Sequence, residues 1–420
     1  MQIGYELARQ VRDNLEIVYT SEYINFLKCY FRVFSVVLTQ QTKPQASDSL
    51  EHKLRNVILE ITSRLPHSEV LRPFVHNMLK LAMHVLTTDN EDNGLISIRI
   101  IFKLLRNYKN TLERELQPFL DFVKQVYQNF GATVCYYFDS SSGNESEIAA
   151  SHRTIVHFGP QSSPEAPIPR QLNLSTRSFK IVTECPLIVV FLFQVYDHYV
   201  QTNVPILIPL MATVISIPGP QHVSPKLKNH YVELKCAQVK TVSFLTYLLR
   251  SFADYIRPHE ESISKSIVNL LISCPDSVII RKELLVATKN VLATDFRRGF
   301  FQLIDNLLEE RVLVGTGQAC FETLRPLAYS ILAELIHHVR LDLPLSQLSQ
   351  VIYLFSRNTI DLSFPLSVQT TCARLMLNLV EPIFSRRVDP ISTEEVRASL
   401  GLALDAFASK FGMLKHTISQ

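Results

Sequence analysis

A spacing of 43–44 residues recurs along this 420-residue chain and limits what it can fold into. The segments AQVKTVSFLTYLL (237–249), IRKELLVATKNVL (280–292), LRPLAYSILAELI (324–336) and VQTTCARLMLNLV (368–380) begin 43, 44 and 44 residues apart. Two earlier segments, LRNVILEITSRL from Leu54 and IRIIFKLLRNYK from Ile98, are again 44 apart. The last column of the later four holds Leu249, Leu292, Ile336 and Val380, and the column before it is apolar throughout. The second column is polar: Arg55, Arg99, Gln238, Arg281, Arg325 and Gln369.

Within each segment apolar residues fall three and four apart, the pattern of a helix that buries one stripe. INFLKCYFRVFSVVL (24–38) and LISIRIIFKLLRNY (95–108) show it clearly. Two helices of about 15 residues and their turns fill such a period, as in HEAT and armadillo units of about 40–47 residues. One helix pair cannot bury its stripe alone, so the pairs must stack into a continuous core. Prolines 66, 73, 118, 258, 275, 344 and 365 fall at the seams. A proline in a first turn is tolerated because its missing N–H has no helical partner there. The expected fold is all-α: an α-solenoid of HEAT-like antiparallel helix pairs with one irregular insertion.

That insertion runs from Asp139 to Thr176, where Ser, Pro and Gly dominate and the helical period disappears. The expected organisation is HEAT-like repeats over 1–138, a flexible insertion over 139–176, further repeats over 177–385, and a helical segment or tail over 386–420.

Composition narrows the function. Glycine is scarce, at 11 residues, and the net charge is only +3, which argues against glycine-rich phosphate loops and against nucleic-acid or polybasic membrane binding. The seven cysteines include no CxxC spacing and are odd in number, which fits a reducing compartment. The N-terminal stretch lacks the charged and apolar regions of a signal peptide. The most apolar runs, 186–196 and 205–218, are too short to span a bilayer and contain prolines. A soluble intracellular protein is expected.

No GxSxG, HExxH, P-loop or paired CxxC is present. VLVGTGQAC (312–320) has Gly315 and Gly317 but no Lys-Ser/Thr pair, and reads as a turn between helices. His337 and His338 are adjacent on a helix, about 100° apart, and cannot easily share a metal. No catalytic, cofactor or metal residue is assigned. Ser163-Pro164 in the insertion fits a proline-directed kinase. The candidate partner-binding surface is on the helix around 95–110. At 100° per residue Arg99, Lys103 and Arg106 share one side, opposite Ile101, Leu104, Leu105 and Tyr108. The competing reading is a solvated face, or pairing with carboxylates near Glu113 and Glu115.

Several long strings resemble the TRRAP family (transformation/transcription domain-associated proteins), in its N-terminal HEAT-repeat region. They are DNEDNGLISIRIIFKLLRNYKN (89–110), PFLDFVKQVY (118–127), TECPLIVVFLFQVY (183–196), AQVKTVSFLTYLLR (237–250), RKELLVATKNVLATDFRRGF (281–300) and TLRPLAYSILAELIHHVR (323–340). The resemblance covers roughly residues 20–385. It implies a nuclear scaffold of histone acetyltransferase complexes of the SAGA and NuA4 types, related to PI3-kinase-like enzymes but with a dead kinase domain. Its implied partners are transcription activators and acetyltransferase-complex subunits; no nucleic acid, membrane, cofactor or small-molecule substrate is implied. No FAT or kinase-like segment lies in these 420 residues, so no catalytic residue carries over. The alternative is another HEAT-type solenoid, such as a nuclear transport receptor.

Overall fold

The computed structural model describes residues 2–40, 46–138, 174–249 and 251–418. The fold is all-α. Among the described residues the β structure is a single isolated bridge, between Asn90 and Leu174. The chain divides into two compact units, Met1–Gln238 and Val239–Gln420.

The first unit holds α1 (Gln2–Asp13), α2 (Tyr23–Thr39), α3 (Leu50–Arg64), α4 (Val75–Thr88), α5 (Glu91–Asn107), α6 (Gln117–Gln128), α7 (Phe130–Phe138), α8 (Phe179–Val195) and α9 (Asp197–Ser216). It also holds the first half of α10 (Lys228–Leu248). Its long helices form two rows. One runs α1, α3, α5, α8; the other runs α2, α4, α6, α9. Each pair contributes one helix to each row, as the stacking argument requires.

The second unit repeats the plan. It comprises the rest of α10, then α11 (Glu260–Ser273), α12 (Val278–Leu292), α13 (Gln318–Val339), α14 (Leu345–Ile360), α15 (Leu366–Phe384) and α16 (Pro390–Ile418). One row is α12, α13, α15. In the other, a 3-10 stretch Asp295–Leu303 and a short helix Ile304–Leu308 stand between α11 and α14, and α16 follows.

The two apolar runs with prolines are helices: Pro186 lies inside α8, and Pro205 and Pro209 inside α9. An interior proline costs about 3 kcal/mol. In α8 that cost meets the burial of Phe179, Ile181, Val182, Ile188, Val189, Leu192 and Phe193. At about 1.5–3 kcal/mol for each large apolar side chain, burial wins easily. The seam prolines also sit as the local chemistry requires. Pro73, Pro118 and Pro258 occupy first-turn positions, and Pro344 and Pro365 are the N-caps of α14 and α15.

The polar column of the repeat has a specific task at four of its six positions. The last carbonyls of a helix have no partner within that helix. Arg55 of α3 donates to the Val37 and Leu38 carbonyls at the end of α2, at 2.9 and 3.0 Å. Gln238 of α10 donates to Val214 and Ile217 at the end of α9. Arg281 of α12 donates to Leu271 and Cys274 at the end of α11, and to Val312. Gln369 of α15 donates to Asp361 and Phe364 after α14. All four side chains are buried, so the second helix of each pair closes the open end of the first. Arg325 instead pairs with Asp361 at 3.1 Å and lies between the Phe321 and Phe364 rings. Arg99 points to solvent.

The expected insertion falls outside the described residues over 139–173. Its end is described. Ser175 is buried, and its hydroxyl donates to the Leu86 and Asp89 carbonyls at 2.7 and 2.9 Å.

Candidate protein-interaction surface

α5 is the central helix of its row, between α3 and α8. Ile98, Ile100, Ile101, Leu104, Leu105 and Tyr108 are buried, which fixes its rotation. Arg99, Lys103 and Arg106 are therefore exposed together, four and three residues apart.

The base of α5 is held by buried polar groups. Arg55 and Asp89 form an ion pair at 2.7 Å, and Asn93 donates to the same carboxylate at 3.1 Å. The His52 ring lies 3.3 Å from the side-chain nitrogens of both Asn90 and Asn93. Burial pushes the His52 pKa below its ordinary value, outweighing the pull of Asp89 and Asp92. On the other side, Glu91 accepts from Ser178 at 2.5 Å and from Lys180 at 2.6 Å. Lys180 also meets Glu233 at 3.3 Å, and Glu233 meets His230 at 3.2 Å. Burial alone raises the Glu233 pKa, but the contacts with His230 and Lys180 bring it below the usual carboxylate value. These two clusters tie the start of α5 to α3 on one side and to α8 and α10 on the other.

The carboxylates expected to neutralise the basic row are engaged elsewhere. Glu115 meets His76 at 2.7 Å, and Glu113 lies 3.8 Å from His198. Lys103 donates to the Ser63 carbonyl at 2.7 Å, which steadies its side chain without cancelling its charge. Arg99 and Arg106 have no ion-pair partner among the described residues.

An apolar edge adjoins this row. Phe102, half-buried, meets Phe191 of α8 edge-to-face with ring centroids 5.5 Å apart. Leu187, one helical turn before Phe191, is 62% exposed. Helical spacing in the sequence places the three cations on one side, but it does not reveal this edge. Phe102 and Phe191 are 89 positions apart, and only the stacking of α8 on α5 joins them. Cations beside exposed apolar groups suit an acidic protein segment that also carries apolar side chains.

Other singled-out residues play local parts. Gly315 has φ +104°, and the turn Gly315–Gly317 leads into α13. Asp276 holds that turn, accepting from the Thr316 backbone N–H at 3.1 Å and hydroxyl at 2.5 Å. The Thr316 hydrogen bonds hold the Asp276 pKa below its ordinary value. His337 and His338 are exposed, with ring centroids 5.7 Å apart. Among the described residues no cluster of three or more His, Cys, Asp or Glu is placed to hold a metal. No described helix is long and apolar enough to cross a membrane. Ser163-Pro164 lies outside the described residues.

Comparison with known proteins agrees with the repeat. Residues 230–420 match the family described as the Tra1 HEAT repeat central region. The chain is 34% identical over 436 residues to the human transformation/transcription domain-associated protein, covering 99% of this chain and 11% of that protein. It is 33% identical over 473 residues to a probable transcription-associated protein 1 of Dictyostelium discoideum, covering 98% of this chain and 10% of that one. It is 28% identical over 460 residues to the Saccharomyces cerevisiae SAGA complex/NuA4 acetyltransferase complex subunit TRA1, covering 99% and 12%. The chain thus spans about a tenth of the length of these curated relatives. With a helix-pair repeat, carbonyl-closing residues in four pairs and this likeness along nearly its whole length, the chain belongs to the TRRAP/Tra1 family and is a HEAT-repeat segment of it.

Proposed function

We propose that this chain is a non-enzymatic scaffold segment of a TRRAP-like subunit of histone acetyltransferase complexes of the SAGA and NuA4 types, acting in the nucleus. In this reading it binds transcription activators and fellow subunits through its solenoid surfaces. Arg99, Lys103 and Arg106 form one such surface. The Saccharomyces cerevisiae relative is named as a subunit of the SAGA and NuA4 complexes, which supports the assembly. The observation that carries the surface is the pair of unneutralised guanidiniums, Arg99 and Arg106, beside the Phe102–Phe191 edge. The reading calls for protein partners, and for no cofactor, small-molecule substrate, nucleic acid or membrane.

The test is binding of the 420-residue chain to a panel of immobilised acidic activation segments at two salt concentrations. The charge reversal Arg99→Glu with Arg106→Glu is expected to weaken capture at least twofold, and added salt to weaken the parent chain. Both side chains are exposed, so the helical circular-dichroism signal should be unchanged. Equal capture by the parent and the reversed chain removes the surface from consideration. Capture of GTP-loaded Ran by the parent chain instead favours a transport receptor.

A further inference from the structure

The opposite row of the first unit carries a second surface of related chemistry. A groove of about 560 Å³ lies between α4 and the start of α6. Its α4 side is formed by Leu79, Lys80, Met83, His84 and Thr87, which lie on one face at helical spacing. Arg114, Glu115 and Pro118 form the facing wall. The floor is apolar, from Leu79, Met83 and Pro118.

Two features give the groove a charge preference. Lys80 and Arg114 are both exposed and have no ion-pair partner among the described residues. The single carboxylate in the wall, Glu115, is taken up by His76 at 2.7 Å.

From this we infer that the groove between α4 and α6 is a docking site for a short acidic segment of a partner protein. One bulky apolar side chain of that segment enters over Leu79, Met83 and Pro118. Its flanking carboxylates meet Lys80 and Arg114. The groove volume suits a few side chains rather than a folded domain. The inference shares with the proposed function the idea of a protein-binding platform, but it uses neither Arg99 nor Arg106. The two surfaces belong to different helix rows, so one unit would hold two acidic segments independently.

The probe is a fluorescent 15-residue peptide with four Asp or Glu residues around one Leu-Phe pair, titrated into the full chain and read by anisotropy. Two control peptides replace the acids by Asn and Gln, or Leu-Phe by Ala-Ala. Made in the Arg99→Glu, Arg106→Glu chain, so that only the groove is read, the charge reversal Lys80→Glu with Arg114→Glu is expected to weaken binding at least tenfold. A photo-crosslinking residue at exposed Thr87 is expected to label the peptide in the parent chain and in the Arg99→Glu, Arg106→Glu chain. Unchanged binding on reversal at Lys80 and Arg114, no label from position 87, or equal binding of the uncharged control overturns the inference. Loss of binding only on reversal at Arg99 and Arg106 overturns it too, while leaving the α5 surface standing.

Discussion

Arg55 and Asp89 meet at 2.7 Å with each side chain only 3% exposed, so an ion pair stands in the apolar interior of the first unit. Arg55 has a second duty, at the carbonyls of Val37 and Leu38. Removing one member of a buried pair leaves an uncompensated charge, which costs about 3–5 kcal/mol. Asp89→Ala is therefore expected to destabilise the first unit by about that amount in urea unfolding. Adding Arg55→Gln to Asp89→Ala should recover part of the loss. A neutral amide closes the helix end at Gln238 and Gln369 and leaves no buried charge. If the double variant is less stable than Asp89→Ala alone, the charge is not what makes Asp89→Ala costly.

Acid should weaken the same region through His52. Burial depresses its folded pKa below the ordinary 6.5, so the unfolded chain binds the proton more readily. The sign follows: stability is full above pH 6.5 and falls as the pH drops below it. The neighbouring charges are Asp89, Asp92, Arg55 and Lys53. His52→Asn is expected to flatten the slope of unfolding free energy against pH in the range just below 6.5. An unchanged slope would place the acid sensitivity on other groups.

Gly315 is a case where backbone geometry dictates the residue. At φ +104° a side chain is strained, and a Cβ would lie 2.7 Å from the Asp276 carboxylate and 2.8 Å from Arg281 Nε. Gly315→Ala should cost about 1–3 kcal/mol. It should also release Thr316 from Asp276, raising the Asp276 pKa towards its ordinary value. Urea unfolding of the two chains reads the stability loss, and NMR titration of that carboxyl reads the release.

Two other glycines should respond to alanine in opposite directions. A Cβ at Gly94 would lie 2.6 Å from the Ser175 Cβ, whereas one at Gly401 meets nothing within 4 Å. Alanine gains up to about 1 kcal/mol over glycine in a helix. Overpacking costs about 1–3 kcal/mol. Gly401→Ala is thus expected to raise the melting temperature and Gly94→Ala to lower it. A rise at both positions would mean that the Ser175 segment yields easily.

The repeat and the helix rows were legible because both follow from apolar spacing, which is local in sequence. The polar column was legible as a pattern, but its chemistry was only partly so. The helices do not start at a constant distance before the column: α12 begins three residues before Arg281, and α5 begins eight before Arg99. The short turn between α4 and α5 starts the second helix early, and Ser175 serves the end of α4 instead, donating to the Leu86 and Asp89 carbonyls. Arg99 is thereby left facing solvent. The apolar edge and the α4–α6 groove depend on residues far apart in the chain, and no spacing rule reaches them.

The closing of one helix end by a side chain of the next has an evolutionary consequence. The acceptors are backbone carbonyls, which every sequence supplies. A helix pair joined this way needs only one specified polar residue and an apolar stripe, and its outward positions are open to drift. Selection can therefore rewrite the binding faces of such an array, repeat by repeat, without renegotiating the architecture beneath them.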